Sequence, residues 1–159
     1  MAAPGTFVAR LTATSLSSST TLPVIQLTLN ANRTYEIYRV EISNESSTTS
    51  GDAAYEIVAS SAVAPGTLTA GNASIVALNY TDTIQATVQG SGFSGSLTGT
   101  QTVLKRQGFN ILSSALYLPV PEERFVMQGN ATNYKYLWVR LPVLPASTTM
   151  TVEVVGRET

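Results

Sequence analysis

Between residues 136 and 155 the apolar side chains fall at every second position, in two runs separated by prolines. Leu137, Val139 and Leu141 alternate with Tyr136, Trp138 and Arg140, and Met150, Val152 and Val154 alternate with Thr149, Thr151 and Glu153. A period of two belongs to a strand with one face on a core. Pro142 and Pro145, between the runs, lack the amide proton a ladder needs, so residues 141–146 are expected to leave the sheet interior. Strand, proline-bounded turn and strand make a unit of an antiparallel sheet. Nowhere does the chain sustain the three-and-four spacing of an amphipathic helix.

The same alternation runs through the first half. Phe7, Ala9, Leu11 and Ala13 oppose Val8, Arg10 and Thr12, and Ile25, Leu27 and Leu29 follow Pro23, which is tolerated at the first position of a strand. In residues 35–43, YEIYRVEIS, the alternation puts Tyr38, Val40 and Ile42 on one face and Tyr35, Ile37, Arg39 and Glu41 on the other. Arg39 and Glu41 mark an exposed or interfacial side. Tyr55, Ile57 and Ala59 begin a further strand after the polar loop at 44–52. Residues 62–107 are punctuated by Pro65-Gly66 and Gly71-Asn72, with short Thr- and Val-rich strands at 75–78, 83–88 and 96–104 and room for one short helix. No segment repeats at a fixed period.

The expected fold is all-β: an antiparallel β-sandwich, jelly-roll-like, of about eight or more strands. Residues 1–159 are expected to form one domain, since a body of this length buries roughly 70% of its unfolded surface. The core is expected to include Ile37, Tyr38, Val40, Ile42, Trp138, Val139, Leu141, Val152 and Val154. Met1, Ala2, Ala3, Pro4, Gly5 and Thr6 are small and uncharged, and are expected to form an extended contacting arm.

Charged residues are 12% of the chain, about half the usual share of roughly 25%. A surface so poor in charge is covered by hydroxyls, amides and apolar groups, as suits a protein partly buried against partners. The net charge of −1, with Lys105 and Lys135 the only lysines, argues against a nucleic-acid partner. No run approaches the roughly 20 apolar residues of a membrane-spanning helix, and the N-terminus does not read as a signal peptide, so assembly in a cytoplasm is expected.

The chain has no cysteine and no histidine, which removes disulfides, thiolate metal sites and the commonest general base. The acidic pair Glu122 and Glu123 would point to opposite faces of an extended chain, and Arg124 beside them reads as their ion-pair partner. A serine nucleophile would have to rely on Lys105 or Lys135. Residues 90–95 match GxGxxG, but a strand-type sequence follows where a phosphate site needs a helix. Asp52 and Asp82 lack calcium-loop spacing. Trp138 with Tyr134 and Tyr136 could stack on sugar rings as a lectin platform, but is expected to pack between the sheets. No enzyme activity and no cofactor are expected.

Taken in order, these features resemble the capsid decoration, or cement, proteins of tailed bacteriophages. The resembling stretches are residues 35–43 with the Ser-rich loop after them, Ala54-Tyr-Glu-Ile57, the Gly/Thr-rich middle and Gly108-Phe-Asn-Ile111. They continue with Pro119-Val-Pro-Glu-Glu-Arg124, Leu137-Trp-Val-Arg-Leu-Pro142 and the closing Gly156-Arg-Glu158. The resemblance implies a jelly-roll sandwich on the outer surface of a virion. It implies a homotrimer that cements neighbouring major capsid subunits around packaged DNA, and it implies no catalytic residue. A carbohydrate-binding sandwich and a minor tail or fibre-base protein are the alternatives.

Overall fold

A computed structural model describes residues 5–16, 22–46, 50–64, 73–90, 93–129, 132, 134–145 and 148–159. Met1, Ala2, Ala3 and Pro4 of the expected arm lie outside the described residues. The first strands are β1 (Thr6–Leu16), β2 (Pro23–Thr28), β3 (Thr34–Asn44) and β4 (Asp52–Ser60). The middle supplies β5 (Ala73–Ala77), β6 (Thr87–Gly90) and β7 (Gln101–Asn110). Then come β8 (Ala115–Tyr117), a 3-10 turn at Pro121–Glu123, β9 (Phe125–Gln128), β10 (Tyr136–Val143) and β11 (Thr148–Glu158). Among the described residues there is no α-helix, and the described part of the middle forms the three strands β5, β6 and β7.

The strands form two antiparallel sheets. One has the order β5-β1-β11-β3, with β8 and β9 both pairing the far side of β3, and the other has the order β6-β2-β10-β4-β7. Without β5 and β6, the order β1-β11-β3-β8/β9 facing β2-β10-β4-β7 is that of a jelly roll. The chain is an all-β sandwich of this kind, and β5 and β6 widen its two sheets beside β1 and β2.

The inner faces meet as the alternation demands. Phe7, Ala9, Leu11, Val152 and Val154 come from one sheet, and Ile25, Leu27, Ile57, Leu137, Val139 and Leu141 from the other, all buried in one cluster. In β3 the alternation breaks. Tyr35 and Ile37 are buried, and so are Val40 and Ile42, which an uninterrupted period of two would place on the opposite face. The ladder explains it: Val155 pairs with Arg39 and Gly156 with Ile37, leaving Tyr38 as the extra residue of a β-bulge. Tyr38 therefore lies outside the buried core, where the sequence pattern had placed it, and Tyr35 takes a core position.

Two further expectations are corrected. Pro142 lies inside β10, at a break in register where the pairing with β4 passes from Arg140 to Val143, so the ladder does not call for its missing amide proton. Gly5 and Thr6 do not belong to a free arm. Gly5 is buried and its carbonyl accepts from the Glu158 amide at 2.9 Å, while the Thr6 carbonyl accepts from the Leu78 amide at 2.8 Å.

Candidate docking surface

The polar clusters come first, because they decide where chemistry could occur. On the outer face of the larger sheet, Arg10 of β1 donates to Glu153 Oε2 of β11 from Nε at 2.9 Å and from Nη2 at 2.5 Å. Arg39 of β3 donates to the other carboxylate oxygen and stands 3.8 Å from Glu41. Partial burial opposes ionisation of Glu153, but hydrogen bonds and charge from Arg10 and then Arg39 outweigh it, and the carboxyl is held below its ordinary value. Arg39 and Glu41, expected at an interface, are thus members of a balanced four-charge chain that crosses three strands.

On the outer face of the smaller sheet, Glu56 accepts from Arg140 Nε at 2.6 Å and from Arg106 Nη1 at 3.1 Å. At one end of the sandwich the buried Glu158 accepts from the amides of Gln85 at 2.9 Å and Ala86 at 3.2 Å, with Arg33 Nε at 3.4 Å. Burial, before any other influence, pushes the neighbouring Tyr35 phenol well above its ordinary value. Each of these carboxylates is occupied by cations or amides that tie strands together.

The residues singled out by sequence do not converge. Glu122 and Glu123 lie exposed on the 3-10 turn, and Arg124 pairs with Glu36 at 3.1 Å and covers the Tyr38 ring at 4.5 Å, so it is not their ion-pair partner. Lys105 and Lys135 lie over the rings of Tyr117 and Tyr136. Gly90 ends β6, Ser91 and Gly92 lie outside the described residues, and the next element is the strand β7. Among the described residues no three His, Cys, Asp or Glu side chains gather as a metal would require.

Trp138 is fully buried, but not between the sheets. It points out from the smaller sheet into a second cluster with Val58 and Ala64, flanked by Phe93, Leu97 and Tyr136. Its Nε1 donates to Gln26 Oε1 at 2.8 Å, and the same oxygen accepts from the Ala64 amide at 2.9 Å. Segments running back over this face cover the ring, so it offers no open platform for a sugar.

What remains open is apolar. Leu116, Leu118, Val120 and Val126 are 48–67% exposed along the β8/β9 edge of the larger sheet. Leu116 and Val126 stand opposite Glu41 and Glu36, on the outer side of β3. Pro119 and the 3-10 turn that starts at Pro121 split this edge, so it presents no continuous strand for another strand to pair with. Tyr117 stacks on Phe125 with centroids 5.2 Å apart and planes 6° from parallel, fixing β8 against β9. Continuous with the ridge through Val126 is a cleft of about 300 Å³ lined by Leu104, Phe125, Met127, Tyr134 and Arg124. Ridge and cleft together form a fixed apolar relief.

No protein-family model and no curated protein matches the chain. Solved structures that it resembles include a point mutant of the VP2 protein of infectious bursal disease virus in derived T=1 particles, with TM-score 0.26 and 13% identity over 98% of this chain and 40% of that one. The infectious bursal disease virus Gx strain aligns with TM-score 0.23 and 14% identity over 98% of this chain and 41% of that one. The chain thus spans about 40% of the length of these structures, and a likeness at this level does not bear on what it does.

The ridge is a surface that strand patterning passed over. Its signal was present: Leu116, Leu118 and Val120 alternate with Tyr117, Pro119 and Pro121, so an apolar run falls where prolines keep the chain from a sheet interior. Apolar residues that cannot be buried by pairing are candidates for burial by a partner.

Proposed function

We propose that the chain is a structural protein of a virion that docks on the outside of a capsid and cements neighbouring major capsid subunits, acting as a homotrimer and without catalysis. The observation that supports this is the apolar ridge and cleft on an edge that presents no continuous strand. Binding there is by shape and apolar burial, the mode suited to clamping fixed surfaces. The ion pairs of both outer faces tie neighbouring strands together, and many copies on one particle convert modest contacts into firm attachment.

The test is co-sedimentation of the purified protein with capsids lacking it, counting bound copies. Saturable binding is expected for the parent chain and loss of binding for Val126→Asp and Leu118→Asp, both solvent-facing changes that leave the melting temperature within about 2 °C. Equal binding by the folded variants would remove the ridge from the mechanism, and no binding by the parent chain would remove the capsid.

A further inference from the structure

We infer that the free edge of β5 is a twofold self-association surface, pairing antiparallel with β5 of a second copy about Val76. The inference stands on the sheet edges and does not depend on the docking ridge.

A sheet has edges, and soluble proteins guard them. Three of the four edges here carry a guard. Prolines and the 3-10 turn break β8/β9, and β7 has a register shift beside Lys105 and Arg106. β6 is four residues long, with Gln89 held by Gln26 at 2.8 Å. β5 differs: Ala73-Ser-Ile-Val-Ala77 has no charge, proline or glycine and pairs with β1 without a register shift. Among the described residues no strand pairs its other side.

The hydrogen-bond parity of β5 is fixed. The Leu78 amide donates to the Thr6 carbonyl, so the amides and carbonyls of Val76 and Ser74 also turn toward β1. Those of Ala73, Ile75 and Ala77 turn to the open side. Antiparallel pairing about Val76 lets Ile75 and Ala77 exchange bonds with Ala77 and Ile75 of the second copy. It sets the two Val76 side chains against each other at a non-hydrogen-bonded position, where side chains approach most closely.

The second copy is the occupant that fits this edge, because it matches the hydrogen-bond parity of β5 and brings no charge against an uncharged strand. In the first sheet Val155, Val8 and Val76 stand in one row across β11, β1 and β5, and the twofold continues that row into its own copy. Val76 and Leu78 are 55% and 61% exposed, and the pairing covers Val76 with Val76 and Leu78 with Ser74. No charge meets its like: Arg10, beside Ser74, is separated from Arg157 of the second copy by Ser74, Leu78 and Thr6. The contact falls well short of the roughly 800 Å² per partner of a standard interface, so the pair is weak and reversible in solution. On a particle it gains from the effective concentration that other contacts supply.

The chain has no cysteine, so Val76→Cys gives a sole thiol at the twofold. Under mild oxidation a disulfide-linked dimer is expected on the order of tenfold faster than for Val126→Cys, more exposed and on the opposite edge, because facing non-hydrogen-bonded positions meet disulfide geometry. A disulfide joins chains two by two, so this reads separately from threefold assembly, and it needs no capsid. Sedimentation velocity supplies a second reading: concentration-dependent association is expected for the parent chain and lost in Val76→Asp at unchanged melting temperature. Equal cross-linking rates at positions 76 and 126, or association undiminished by Val76→Asp, would overturn the inference.

Discussion

Trp138 carries two demands that its neighbours meet separately. Its ring is covered by Val58, Ala64, Phe93 and Leu97, and its indole proton goes to Gln26, a fully buried amide. Gln26 also accepts from Ala64 and donates to Gln89, so one side chain joins β2, β6, β10 and the segment after β4. Replacing Trp138 by alanine leaves a cavity and an amide oxygen short of one donor. The expected loss is about 3–5 kcal/mol in urea denaturation, and a loss below about 1 kcal/mol would mean that the covering segments contribute nothing. Sequence alone marked Trp138 as buried but placed it between the sheets, because period two tells which residues share a face and not which face meets the other sheet. Leu137 and Val139 face the main core, so Trp138 between them points away from it, and only the segments crossing outside make its burial possible.

At the scale of the strand, the bulge in β3 governs which residues the core receives. Tyr38 takes up one residue, so Tyr35 and Ile37 before it and Val40 and Ile42 after it all point inward. Gly156 stands opposite: a Cβ there would lie 2.8 Å from the Glu36 carbonyl and 2.9 Å from the Phe7 ring. Deleting Tyr38 takes out the extra residue, so Ile37 and Val40 fall two positions apart and both pairs keep facing inward in strict alternation. Tyr38→Ala keeps the register and loses chiefly the contact with Arg124, worth about 0.5–1 kcal/mol. Thermal melting is expected to place the deletion and Tyr38→Ala within about 4 °C of each other, and a far lower melting temperature for the deletion would show that the bulge itself is needed to hold the inward pairs. Strands with unbroken alternation, such as β11, were legible because every residue obeys one period. The bulge was not, since YEIYRVEIS reads as a well-patterned strand in either register.

At the scale of the molecule, the first and last strands close the sandwich at one end. β1 pairs with β11 from Thr6–Arg157 onward, and the Thr34 and Thr159 amides and carbonyls bond reciprocally at 2.9 Å. Glu158 holds the amides of Gln85 and Ala86 from inside, so that end depends on the placement of β11. Gly5 and Thr6 contribute to the closure through the bonds to Glu158 and Leu78. Removing residues 1–6 therefore does more than shorten a contacting arm. It takes away two backbone acceptors, each bond worth about 0.5–1.5 kcal/mol, which for a domain of this size lowers the melting temperature by roughly 2–12 °C. Removing residues 1–4 leaves both bonds, so comparing the two truncations by calorimetry and by capsid co-sedimentation separates closure from attachment. Attachment lost with residues 1–4 at an unchanged melting temperature would give the contacting role to Met1–Pro4 alone. A melting temperature unchanged by removal of residues 1–6 would show that β11 keeps its place without the start of β1.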